Sequence, residues 1–170
     1  MRDVFRPSPV LPRPRARCAI LLFLALSGFS GCATTDPQST GAARAAMLAA
    51  IEAEKPGSYY IGRRYYKVDY KFWGFVRKPG QPWSMAKMVM FNEQQKLAPD
   101  REQGTLGVDN NYEYKLFGNF SGQTVYEPAS NGFYPEFILK GHELLTKTPA
   151  KIYREAGAAD PKRRVIAKPY

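Results

Sequence analysis

The chain has 170 residues, with 25 Lys and Arg against 15 Asp and Glu, for a net charge of +10. One domain is the default at this length, and 44% hydrophobic with 24% charged residues exclude a wholly disordered chain. Two Cys exclude a disulfide-dense scaffold, and a single His excludes most histidine-based metal centres.

The N-terminus reads as an export signal. Arg2, Arg6, Arg13, Arg15 and Arg17, against Asp3 alone, form a basic leader. The apolar run Cys18–Phe29 follows, twelve residues long. That is the length of a signal core, and short of the roughly 20 residues that span a bilayer as a helix. It ends in Phe29-Ser30-Gly31-Cys32. This resembles the lipobox of bacterial prolipoproteins, with Phe29 where the family usually has Leu. The resemblance implies cleavage between Gly31 and Cys32 and a covalent lipid on the Cys32 sulfur, with no other cofactor. Chemistry supports a Cys there, because a thiolate is nucleophilic enough to take a lipid near neutral pH. One acyl chain holds a protein only marginally, and two or more hold it stably. Ala33 stands where an Asp would favour inner-membrane retention, so the resemblance points to the outer membrane of a cell that has one. The bland alternatives are a plain secretory signal, with Cys32 an ordinary residue, and a buried helix of a cytosolic protein. On the lipoprotein reading Cys18 leaves with residues 1–31 and Cys32 is capped, so the domain folds without a disulfide.

Losing the leader's five Arg and one Asp lowers the net charge from +10 to +6. Residues 32–57 read as a tether carrying a short Ala-rich helix, Ala42–Glu54, with Met47, Leu48 and Ile51 on about one side and Pro56-Gly57 as its stop. Residues 58–153 read as a β domain. Apolar and charged residues alternate from Tyr66 to Phe72, a half-buried strand signal. Gly74 marks a bulge or bend within it. Lys78–Pro82 is a turn, Ser84–Asn92 a second and central strand, and Leu97–Asn111 a loop. A third strand starts at Tyr112 and runs to Phe120, with a second bend at Gly118. A fourth begins at Thr124, and Pro128–Gly132 is a strong turn. Phe133–Leu145 closes the sheet. Residues 154–170 lack periodicity and read as a flexible basic tail. The fold class is therefore all-β. A small antiparallel barrel is expected, with an OB-like order, another small barrel or a sandwich as the alternatives.

The constellations are weighed against plain structural roles. His142 lies beside Glu143 on a strand, which places the two on opposite faces and makes His142 an outward polar residue rather than a metal ligand. Asp109-Asn110-Asn111 with Glu113 lacks the spacing of a calcium loop and reads as a solvated turn. Asp100 and Glu102 show no sign of burial. Aromatic and basic residues interleave from Tyr59 to Arg77. On a barrel face, Arg63, Arg64, Lys67, Lys71, Trp73 and Arg77 would form a ligand surface, rings stacking and cations meeting anions. The competing role puts the rings in the core and the cations on the surface. Three functions follow. The first is a lipid-anchored envelope protein with a non-catalytic binding or structural domain, whose partner is an envelope protein, a cell-wall polymer or an anionic lipid headgroup. The second is an exported glycan-acting enzyme with paired carboxylates. The third, if the leader is misread, is a nucleic-acid-binding module, since an envelope location makes nucleic acid an unfavoured partner.

Overall fold

Five strands close a barrel in the order β1-β2-β3-β5-β4 in the computed structural model, which describes residues 37–70 and 73–170. Residues 1–36, where a leader and a lipobox are expected, and Lys71 and Phe72 lie outside the described residues. The elements are α1 (Pro37–Glu52), β1 (Tyr60–Arg64), β2 (Trp73–Arg77), β3 (Lys87–Asn92), α2 (Pro99–Glu102), β4 (Glu113–Glu127) and β5 (Gly132–Thr146). All neighbours are antiparallel except β3 and β5, which run parallel. The expected all-β barrel is thus the architecture, and its strand order is OB-like.

Strand alternation separates two cores. Val76, Val89, Phe91, Tyr114, Leu116, Phe137 and Leu139 fill the barrel. Gly74 faces this interior: a Cβ there would lie 2.4 Å from the Phe91 ring. The residues between them on β1 and β2, Ile61 and Phe75, and Met90 on β3 belong to a second cluster. Ile51 of α1, Trp83, Ile152, Tyr65 and Tyr70 complete it, with Met47 and Tyr153 packed on its margin. One barrel wall is therefore covered by the chain's own helix and C-terminal segment. Of the three apolar residues expected on one side of the helix, Ile51 is buried and Met47 half-buried, while Leu48 is exposed.

Several boundaries differ from those expected. Of the strand expected over Tyr66–Phe72, the described part, residues 66–70, is no strand. β1 ends at Arg64, and Tyr66 gives its N–H to the Asn110 side chain rather than to a sheet neighbour. Val68 is exposed while Tyr70 is buried, so the alternation does not share a face. β1 itself was hidden in the sequence by Gly62-Arg63-Arg64, which breaks any apolar period. Ser84 and Met85 belong to a single 3-10 turn, and β3 starts only at Lys87. The third and fourth expected strands are one 15-residue strand, β4. It forms a long hairpin with β5 across the expected turn, where Asn131 adopts φ 51° and the Glu127 carboxylate accepts from the N–H groups of Ala129 and Ser130.

The β4–β5 register shifts between Phe117 and Gly118. A Cβ at Gly118 would lie 2.1 Å from the Ile138 carbonyl oxygen, backbone that cannot turn aside. Gly118→Ala is expected to cost about 1–3 kcal/mol, read from urea unfolding. Gly122, also at positive φ but with nothing near its missing Cβ, is the control. Its Ala variant loses about 1 kcal/mol from the left-handed backbone alone.

The C-terminal segment is not a flexible tail. Ile152, Ala158 and Ala167 are buried. The Tyr65 hydroxyl lies 2.6 Å from the Val165 carbonyl and 2.9 Å from that of Ala158, and accepts from the Ala167 N–H at 3.3 Å. Lys67 Nζ donates to the carbonyls of Ala158 at 2.6 Å and Asp160 at 2.7 Å. The Val68 N–H donates to Pro161, and Asn110 Nδ2 to Ala159. A segment without periodicity is fixed here because its carbonyls are the partners of buried donors, and such donors cannot be left unpaired.

Candidate functional site

Four of the five cations expected on a ligand surface are inside. Arg63 is 1% exposed, Arg64 5%, Lys67 2% and Arg77 2%. Burying charge is costly unless it is paired, and each has found partners. Arg63 and Arg77 flank the Trp83 ring, their guanidinium carbons 4.9 and 4.6 Å from its centroid. Arg63 pairs with Glu113 and donates to the Ala150 carbonyl at 2.7 Å. Arg77 makes a two-pronged pair with Glu54, both bonds 2.6 Å. Planar guanidinium groups suit this, since one face stacks while the edge pairs with a carboxylate. Arg63, Arg77 and Trp83 thus build the wall between the barrel and its cover. The described cations fit neither the ligand surface nor the solvated half of the alternative, while Tyr65 and Tyr70 are in the core as that alternative has it. Of the other two candidates, Trp73 opens β2 opposite Met90, and Lys71 is outside the described residues.

The carboxylates are also differently placed. Asp100 and Asp109 are buried, not solvated. Arg64 bridges them, with Nη2 donating to Asp100 at 2.9 Å and Nε to Asp109 at 3.1 Å. The Gly107 N–H donates to the second Asp100 oxygen at 3.0 Å. Burial pushes the pKa of Asp109 up, and Arg64 pulls it back. Burial also raises Tyr114 far above the usual tyrosine range, with Asp109 adding to it. This Asp100–Arg64–Asp109 bridge is internal. Only its rim opens outward, into a hollow of about 380 Å³ lined by Tyr66, Val68, Tyr70, Arg101 and Leu106 with Arg64 and Asp100. His142 is not an outward polar residue. Its ring meets the Tyr114 edge at 5.8 Å and Nε2 lies 3.2 Å from Glu102. Among the described residues no group of three or more His, Cys, Asp or Glu is placed to hold a metal, and no helix is long and apolar enough to cross a membrane.

The open ground lies at one barrel mouth. Tyr60, Phe120 and Phe137 close that end edge-to-face, with centroids 5.2–5.7 Å apart. Outside this plug is a groove of about 400 Å³, lined by Tyr60, Val76, Arg77, Lys78, Gln81, Met85, Lys87 and Phe120. A neighbouring hollow of about 410 Å³ shares Tyr60 and Lys78 and adds Pro56, Tyr59 and Pro79. Lys78, Met85 and Lys87 are exposed. The β2–β3 turn and the start of β3 set these residues side by side. Sequence reading missed them because Lys78 and Lys87 look like ordinary surface lysines.

Comparison with known protein families, curated proteins and solved structures finds no match to this chain.

Proposed function

We propose that the chain is a lipid-anchored protein of the bacterial envelope whose β barrel is a non-catalytic binding or structural module. The observation that carries this is the order of the first residues: a basic leader, a twelve-residue apolar run, then Ser30-Gly31-Cys32. The apolar run is too short to stay as a spanning helix, so a lipid on Cys32 supplies the attachment. The barrel supports the second half of the reading. Its buried ionisable groups Arg63, Arg64, Lys67 and Arg77 hold the fold together rather than meeting a substrate. Partners in this reading are the membrane through the anchor and an envelope component at the barrel surface. Ala33 in place of Asp favours the outer membrane in a cell that has one.

Cys32→Ser is expected to abolish radiolabelled palmitate incorporation and to shift the protein from the membrane to the soluble fraction, or to leave it unprocessed. Wild-type fractionation and labelling in the variant would overturn the anchor. Mass spectrometry of the native N-terminus gives the same answer independently, as an acylated Cys32 or as an intact leader.

A further inference from the structure

Two lysines, two rings and an exposed methionine meet at the barrel mouth with almost no opposing charge. None of the residues lining the groove or its neighbouring hollow is acidic. The carboxylate that reaches this end, Glu54, is already spent on Arg77 and also accepts the Gly80 N–H at 2.8 Å. Lys87 Nζ stands 5.3 Å from the Phe120 centroid, which holds its ammonium over the groove. Met85 is 59% exposed on the same rim. An unbranched, polarisable side chain of this kind adapts to an irregular apolar guest. The adjacent hollow continues past Tyr60 along Pro56, Tyr59 and Pro79.

We propose that this groove binds an anionic phospholipid, its phosphate between Lys78 and Lys87 and its glycerol and upper acyl chain against Met85, Phe120 and Tyr60. Charge complementarity fixes the sign of the ligand, and lysine ammonium groups meet phosphate as point charges. The apolar half selects a lipid over a bare anion, because free phosphate would leave the methionine and both rings unused. The headgroup of a neutral phospholipid would in turn bring a cation against two lysines. The site is distinct from Cys32, and occupation of one does not require the other. Together they would hold the barrel mouth against the bilayer surface, as a second signal beside acylation does.

The test uses the full chain in maltoside micelles, with methionine methyls carbon-13 labelled. Dihexanoylphosphatidylglycerol, dihexanoylphosphatidylcholine and inorganic phosphate are titrated separately. The Met85 methyl is expected to shift saturably with the glycerol lipid, while the more enclosed Met47 stays still. Lys78→Gln with Lys87→Gln is expected to weaken that titration roughly tenfold or more, from about 1 kcal/mol for each lysine near an anionic lipid. Both side chains are exposed, so the variant keeps its thermal transition. Single Lys78→Gln and Lys87→Gln chains, each weakened severalfold, serve if the double variant does not. An equal response to the choline lipid reveals apolar partition alone, and an equal response to inorganic phosphate reveals a free-anion site. Either result overturns the proposal, as does an unshifted Met85 or a lysine variant that titrates like wild type. Cys32→Ser is expected to titrate unchanged, so loss of the anchor and loss of this site are separable.

Discussion

Replacing Arg64 with Ala is expected to cost the domain about 3–5 kcal/mol at pH 8, because removing one partner of a buried charge network strands the others. Asp100 and Asp109 both rely on that guanidinium. The loss should be smaller at pH 5. Asp109 already has a raised pKa, from burial first, with Arg64 lowering it. Without Arg64 the folded-state pKa rises further. A folded carboxyl with a raised pKa binds more protons than its unfolded counterpart between the two values. Its contribution to stability is therefore full below the unfolded pKa and falls as pH climbs through the raised one. Glu93 moves in the same sense, raised by burial and lowered in part by Arg64. Urea unfolding at the two pH values measures this. A deficit under 1 kcal/mol, or one that grows as pH falls, would contradict the internal bridge. Arg64→Lys should recover only part of the loss, since one ammonium cannot reproduce a fork that serves two carboxylates.

A chain ending at Tyr153 is expected to lose about 3–6 kcal/mol, or roughly 10–20 °C in Tm. A free tail would cost nothing when removed. Here the deletion strips Lys67 Nζ of both its carbonyl acceptors and the Tyr65 hydroxyl of its contacts with Ala158, Val165 and Ala167. It also uncovers the face on which Ala158 and Ala167 are buried. Burial lowers the pKa of Lys67 in the folded chain. The unfolded chain then holds more protons between that lowered value and the ordinary lysine range. Stability gains as pH rises through this window. The truncated chain, with Lys67 open to water, should lose that alkaline gain. Calorimetric melts of both chains at neutral and alkaline pH report both effects. An unchanged Tm after truncation would return residues 154–170 to the status of a tail.

The legible parts of this fold are those whose signals are local. The β4–β5 hairpin announces itself through alternation on both sides of Pro128–Gly132, and the turn needs only its own residues: Glu127 caps the N–H groups two and three positions on. The Ala-rich stretch before Pro56-Gly57 is helical because of its composition. The targeting proposal likewise rests on a linear stretch alone, residues 1–32. The mouth groove had no such signal, since Lys78 and Lys87 are separated by a turn and meet Tyr60 and Phe120 only when the barrel closes.

What the amino-acid order determined by itself was the class of fold, through the spacing of apolar residues and turns. The tertiary structure alone decided the fate of Arg63, Arg64, Lys67 and Arg77. The Arg64 partners are 36 and 45 positions away, and those of Tyr65 and Lys67 are 91 to 102 away. A cation is read as exposed until the chain brings back enough acceptors to offset its desolvation. For Lys67 those acceptors are backbone carbonyls of an irregular segment, which every residue carries and which no sequence pattern can therefore reveal; for Arg64 they are carboxylates that only the fold brings near.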